Sequence, residues 1–345
     1  MKKGGNTVND RPCIGRFFVG GIMKKLLVLF ISMLMIISLS ACSNSNSGND
    51  VPEEDGTFTV GVVQLVQHAA LDAATQGFKD ALEQELGGTV TVDVQNASGE
   101  VTNCTTIANN FVSSSYDLIM ANATPALLAV ASATNEIPIL GTSVTDYASA
   151  LEIDNWNGTV GGNISGTSDL APLDGQAAMI KELFPDAKTV GIIFCSSESN
   201  SAYQVEVITA ELEKLGFEVK PFSFTDTNDI AAVTQTACDN SDVLYIPTDN
   251  TAASNTETIA NVVLPANKPV VTGEEGIARG CGVATLSIDY YELGFATGLQ
   301  AAKILTGTDI STMPIEYATE FTKKFNPAIC DALGVVVPED YEALE

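Results

Sequence analysis

Histidine is almost missing from this chain: there is one, His68, in 345 residues. A single imidazole leaves no room for a His-based metal centre and little for a Ser-His-Asp triad. Basic residues are scarce as well. Sixteen Lys and Arg stand against 43 Asp and Glu, a formal charge of −27 that repels phosphate backbones and disfavours nucleic acid as a partner. CxxC, HExxH, GxSxG and GxGxxG are all absent. A structural or catalytic metal, a serine-hydrolase elbow and a dinucleotide cofactor therefore find no motif, and no cofactor is expected. Gly161-Gly162-Asn163-Ile164-Ser165-Gly166 is Gly-rich but lacks the lysine of a P-loop. No apolar run reaches the roughly 20 residues of a membrane-spanning helix.

The longest such run, Leu26–Leu39, has 14 residues, follows Lys24-Lys25 and ends in Leu39-Ser40-Ala41-Cys42. It reads as the h-region of a secretory signal. The Leu-Ser-Ala-Cys end is similar to a bacterial lipobox, which makes Cys42 the expected lipidation site and residues 1–41 the signal peptide. Met23, directly before the two lysines, is the expected true start. Residues 42–57, polar and acidic, read as a flexible tether to the lipid anchor. Cleavage before Cys42 removes six basic residues and Asp10, which leaves 10 basic and 42 acidic residues and a net charge of −32. Five cysteines remain beyond Cys42, an odd number, so they cannot all pair internally.

With 45% hydrophobic residues a large core is available, and from Phe58 it is organised as short β-branched runs alternating with helical stretches. Strands are predicted at Phe58–Val63, Val90–Gln95, Leu118–Ala121 and Ile137–Leu140. Helices are predicted at Leu71–Leu86, Val101–Ser113 and Pro125–Ala133. Such alternation predicts parallel sheets covered on both faces. The pattern then recurs. Thr59-Val60-Gly61-Val62-Val63 returns 130 residues later as Thr189-Val190-Gly191-Ile192-Ile193, and Leu82-Glu83 returns as Leu212-Glu213. Two similar α/β lobes are expected: 58–165 plus 284–312, and 166–283 plus 313–345. Only 57 residues follow Ile288, too few for a third domain, so the tail must return to the existing lobes.

Open α/β sheets bind ligands beyond the C-terminal ends of their strands. The candidate binding residues are therefore those in the polar turns after each predicted strand: Gln64 and His68, Thr124, Ser143 and Thr145 in the first lobe, and Ser197, Asn200, Asp249, Asn250, Glu275 and Asp289 from the second half. Thr124-Pro125 opens a helix, where free N–H groups and a hydroxyl suit a carboxylate, although Thr124 serves equally as an ordinary cap. Asp249, Glu274, Glu275 and Asp289 are carboxylates for an ammonium group, or solvated acids on an acidic surface; Asp289 also stands where it would cap the helix Tyr290–Leu305.

Several of these motifs, in this order, resemble the ABC-transporter solute-binding lipoproteins of the tryptophan/tyrosine type. The carriers are Gln67-His68-Ala69-Ala70-Leu71-Asp72, Ala123-Thr124-Pro125-Ala126, Val144-Thr145-Asp146, Ser196–Ser201, Pro247-Thr248-Asp249-Asn250-Thr251, Glu274-Glu275-Gly276 and Ile288-Asp289-Tyr290-Tyr291. Ala69 and Tyr147 replace prolines usual in that family. The resemblance implies a type I periplasmic-binding-protein fold with three interlobe crossings. It also implies a non-enzymatic, extracytoplasmic protein that closes on a small ligand, often an aromatic amino acid, and delivers it to ABC permease and ATPase subunits. By likeness to branched-chain amino-acid binding proteins of the same fold, Glu275 is expected at the ammonium position and Thr124 and Thr145 near the carboxylate. The rival readings are a sugar or nucleoside ligand, a sensory subunit, and a surface hydrolase.

Overall fold

The computed structural model describes residues 57–344. The expected signal peptide, the expected lipidation site Cys42 and the expected tether up to residue 56 lie outside the described residues.

Short β-branched and apolar runs form the strands, and helices alternate with them over most of the chain. The first part runs β1 (Phe58–Gln64), α1 (Ala69–Leu86), β2 (Val90–Asn96), α2 (Val101–Ser113), β3 (Leu118–Asn122), α3 (Thr124–Ala133), β4 (Ile139–Val144), α4 (Tyr147–Ala150) and β5 (Ile164–Ser168). The second runs α5 (Leu173–Leu183), β6 (Thr189–Cys195), α6 (Ser199–Lys214), β7 (Glu218–Phe224), α7 (Ile230–Asn240), β8 (Val243–Ile246), α8 (Asn250–Ala253), α9 (Thr256–Val263), β9 (Val270–Thr272), α10 (Glu275–Cys281) and β10 (Ala284–Ser287). The tail adds α11 (Tyr290–Leu305), β11 (Glu316–Tyr317), β12 (Thr322–Phe325), α12 (Pro327–Leu333) and β13 (Glu342–Ala343).

Two sheets result, ordered β11-β5-β4-β3-β1-β2 and β13-β12-β10-β9-β8-β6-β7. Every pairing is parallel except β10 with β12. The repeat seen in the sequence is a repeat of topology: β1 lies between β2 and β3 as β6 lies between β7 and β8. Each sheet is covered on both faces by separate apolar clusters, one pair holding Ile119, Phe111 and Leu127 against Val62, Phe78 and Met120, the other holding Ile192, Leu212 and Tyr245 against Ile193, Ile246 and Ile277. This burial on both sides is why the strands read as continuous apolar runs rather than alternating ones.

The chain crosses between lobes three times: after β5 towards α5, after β10 towards α11, and between β11 and β12. The expected lobe boundaries move accordingly. Strand β5 runs to Ser168, beyond the expected end at 165; residues 284–287 pair in the second sheet, not the first; and β11 rejoins the first sheet beyond 312. The helix α11 returns to the first lobe and packs along α1 at glycine-sized separation. A side chain on Gly294 would collide with the Ala74 carbonyl, and one on Gly298 with Ala81 and the Phe78 carbonyl. Close backbone approach of this kind is what glycine permits in a helix that otherwise disfavours it. Among the described residues no helix is long and apolar enough to cross a membrane. Cys104, Cys195, Cys238, Cys281 and Cys330 are buried, unpaired thiols.

Candidate functional site

The C-terminal ends of the parallel strands in both lobes face one cleft, and the lobes meet across it. His68, at the end of the β1–α1 turn, places Nε2 3.3 Å from Oδ1 of Asn250 at the start of α8. Beside it, Ala69 packs against Gly276 of α10. At the crossings, the Tyr290 hydroxyl donates to Asp169 Oδ2 at 2.9 Å, and the Thr145 hydroxyl donates to Asp169 Oδ1 at 3.1 Å. A cavity of about 380 Å³ opens at the seam, lined by Ala69, Glu274, Glu275, Gly276, Arg279, Asp289, Tyr290, Tyr291 and Lys324 among others.

Backbone strain marks the first-lobe rim. Ala123 caps α3 with φ 94° and ψ 154°, a region almost restricted to glycine, and Ser143 at the end of β4 has φ 54°. Such conformations cost on the order of 1–3 kcal/mol each and concentrate at functional sites. Their effect here is to set Thr124 and Ser143 at the cleft. Thr124 is not the cap of its helix, as one reading of Thr-Pro allowed; Ala123 takes that position and the hydroxyl is left over. Thr124 Oγ1, Ser143 Oγ, Asn200 Oδ1 and His68 Nδ1 are all buried with no hydrogen-bond partner. Leaving a buried polar atom unpaired costs about 1–3 kcal/mol, so four at the ends of β1, β3, β4 and β6 form a constellation that lacks its partner.

Carboxylates complete it. Asp169 and Glu274 are 4% and 1% exposed. Burial is the main cause raising both carboxyls, Glu274 to about 7 even though it accepts from the Gly276 and Ile277 N–H groups, and each adds to the negative field around Tyr290. Asp169 is bonded to hydroxyls rather than to a cation. Asp249 is likewise raised to about 7 by burial and by Glu198.

The structure separates the expected site residues into two groups. His68 meets Asn250 across the cleft, Thr124 and Asn200 line one small pocket between the lobes, and Ser143 lies at the end of β4. The others do not present free groups to it. Gln64 is held inside the first lobe, donating to the Val66 carbonyl and Asp72 while accepting from Thr75. Thr145 faces the cleft, but its hydroxyl is committed to Asp169. Ser197 is exposed and closes its own turn on Cys195 and the Thr225 carbonyl. Asp249 accepts from the Cys195 and Ala252 N–H groups, so it braces two turns of its own lobe. Glu275, the expected ammonium partner, lines the cavity together with Arg279 and Lys324, and its two oxygens are taken by those side chains at 2.5 and 2.6 Å. Asp289 is exposed and caps α11 through the Tyr291 and Glu292 N–H groups. Asp169, Glu198 and Tyr290 were missed as site residues. Asp169 follows a strand hidden by a Gly-rich stretch, and Glu198 was readable only as part of a polar turn.

Two lobes of this topology, joined by three crossings around a polar cleft, define a binding protein of the type I periplasmic-binding-protein fold. The chain belongs to the ABC transporter substrate binding protein family, whose model matches residues 59–344. It is 34% identical over 301 residues to a tyrosine-binding protein of Clostridioides difficile (strain R20291), covering 85% of this chain and 87% of that one. Among solved structures, an ABC domain in complex with L-Trp from Streptococcus pneumoniae matches at 32% identity and TM-score 0.79, over 82% of this chain and 97% of that one. The ligand-free, open structure of a substrate binding protein with adhesive properties from Clostridium difficile matches at 34% identity and a lower TM-score of 0.65, over 84% and 99%.

Proposed function

We propose that this protein is the extracytoplasmic, lipid-anchored substrate-binding subunit of an ABC importer, and that it closes on an aromatic amino acid. The observations that support the site assignment are four unpartnered buried polar atoms after strands β1, β3, β4 and β6, and two buried carboxylates at the interlobe seam. A zwitterion supplies what both lack. Its carboxylate accepts from the Thr124 and Ser143 hydroxyls and the N-terminus of α3, where free N–H groups favour an anion. Its ammonium answers the field of Asp169 and Glu274, offsetting the burial that raises both carboxyls. The ring is the part left to the apolar surroundings of the cleft. The choice of an aromatic side chain is supported by the tyrosine and L-Trp of the relatives' names. Only the closed arrangement offers both sets of groups, so the ligand shifts the hinge equilibrium toward closure by its differential affinity. Permease and ATPase subunits are the partners that this role requires, and Cys42 is the attachment point.

Calorimetry on residues 43–345 with L-tryptophan, L-tyrosine and L-phenylalanine, beside sugars and nucleosides, tests the ligand class. Saturable binding of at least one of the three is expected, and stabilisation by a sugar with no response to any amino acid would overturn the reading. Asp169→Asn should weaken amino-acid binding roughly 10–100-fold, the worth of about 1.5–3 kcal/mol for a charged hydrogen bond. Metabolic labelling with palmitate checks the anchor, and label retained in Cys42→Ala would refute it.

A further inference from the structure

The hydrogen bonds around His68 fix its chemistry more tightly than the cleft alone requires. Asn250 Nδ2 lies 2.6 Å from Glu198 Oε2. The same carboxylate group takes the Asn250 and Thr251 N–H groups and the Thr251 hydroxyl, so it acts as an acceptor throughout. The Asn250 amide must therefore present its NH2 to Glu198 and its oxygen to His68. An amide oxygen accepts only, so the proton of a neutral His68 ring sits on Nε2 and Nδ1 carries a bare lone pair. That atom is buried and has no partner. Burial holds the ring below its ordinary value, against the opposing pulls of Asn250, Glu198 and Asp72, so neutrality is the favoured state at pH 7.

We propose that His68 is a two-sided positioning residue: Nε2–H ties the first lobe to the second through Asn250 and Glu198, and Nδ1 accepts a hydrogen bond from the ammonium group of the bound amino acid. This rests on the function proposed above and adds a named acceptor to it. The ammonium is the donor that the surroundings select, because Asp72 and Glu198 make the locality negative. Ligand and latch are then read by one ring. A ligand that donates to Nδ1 strengthens the neutral tautomer that also donates to Asn250, so occupancy and lobe closure reinforce each other through a single proton position.

Two isosteres take the two edges apart. Glutamine carries an NH2 near the Nε2 position and nothing at Nδ1; asparagine carries an oxygen near Nδ1 and cannot reach Asn250. The ligand is whichever of L-tryptophan and L-tyrosine the wild type binds, paired with its analogue lacking the amino group. His68→Gln should lose about tenfold or more in affinity for the amino acid, as expected for a hydrogen bond to a charged group, and change little for the desamino analogue. Its ligand-induced compaction, followed by small-angle scattering, should persist. His68→Asn should keep that preference for the amino acid over the analogue while losing compaction. Equal losses for both ligands in His68→Gln, or compaction surviving in His68→Asn, would overturn the proposal. Failure of the wild type to bind any aromatic amino acid would instead overturn the functional reading beneath it.

Discussion

Glu274 is a buried acid at a helix start, and its substitution by glutamine has a consequence whose sign depends on pH. In the folded protein its carboxyl is raised to about 7, chiefly by burial, from an ordinary 4.5. Between those values the folded state keeps a proton that the unfolded chain releases. Stability is therefore unaffected by this group below about pH 4.5, falls as pH rises, and bears the full penalty above about pH 7. At about 1.36 kcal/mol for each tenfold in proton affinity, the penalty amounts to about 3 kcal/mol. The glutamine amide cannot ionise and escapes it. The variant does lose one of the two oxygens that receive the Gly276 and Ile277 N–H groups, a capping loss of about 1 kcal/mol that does not vary with pH. Urea denaturation of the ligand-free protein should thus show Glu274→Gln less stable than wild type at pH 4 and more stable, by about 2 kcal/mol, at pH 8. Parallel pH profiles for the two proteins would refute the argument, because they would mean that Glu274 is ionised in the fold without cost.

Other substitutions bear on the same site. Thr124→Val and Ser143→Ala remove hydroxyls that have no partner without ligand, so thermal melts of the free protein should be unchanged or slightly raised, while calorimetry shows amino-acid affinity about 5–50-fold weaker. Glu275→Gln, whose oxygens serve Arg279 and Lys324 at the surface, should alter affinity by no more than about twofold, since partly exposed ion pairs contribute about 0–1 kcal/mol; a loss as large as that of Asp169→Asn would reinstate Glu275 as the ammonium partner. Ala123→Gly relieves a glycine-type conformation costing on the order of 1–3 kcal/mol and adds an unfolded-state entropy cost of about 0.5–1 kcal/mol, so denaturation should show a net gain near 1 kcal/mol.

The architecture was legible because sheets buried on both faces leave a strong mark on the sequence. The five residues Thr59–Val63 and Thr189–Ile193 begin equivalent strands with equivalent neighbours, and the helices Val101–Ser113 and Tyr290–Leu305 begin and end where their periodicity and capping residues place them. Strand β5 escaped because Gly161–Gly166 reads as a turn. Gly166 in fact belongs to the strand, with its missing side chain making room for the Tyr147 hydroxyl and the Gly141 backbone. The cleft residues were recoverable in outline from their positions after strands. Which acid faces inward was not. Glu274 and Glu275 are adjacent and chemically alike, yet the first turns into the fold to cap α10 while the second is paired with Lys324, 49 residues further along the chain. A choice made by a partner that distant leaves no trace in local spacing.

That pairing clarifies how the binding energy is arranged. A chain this acidic has no shortage of carboxylates for an ammonium group, and the half-buried Glu275, paired with Lys324 and Arg279, offers a ligand little, because its charge is already answered. Asp169 and Glu274 are different. Closing the lobes over them takes two carboxyls out of water with hydroxyl and backbone donors but no cation in their hydrogen bonds, so the closed form carries a standing electrostatic penalty that grows with pH. A ligand bearing an ammonium group removes part of it, and an analogue without one cannot. On this reading the selectivity for amino acids arises less from attraction to the open protein than from the cost of closing without one. It follows that the discrimination between an amino acid and its desamino analogue should widen from pH 5 to pH 8, as Glu274, raised to about 7, loses its proton; discrimination that stays flat across that interval would mean that Glu274 is not the ammonium's partner.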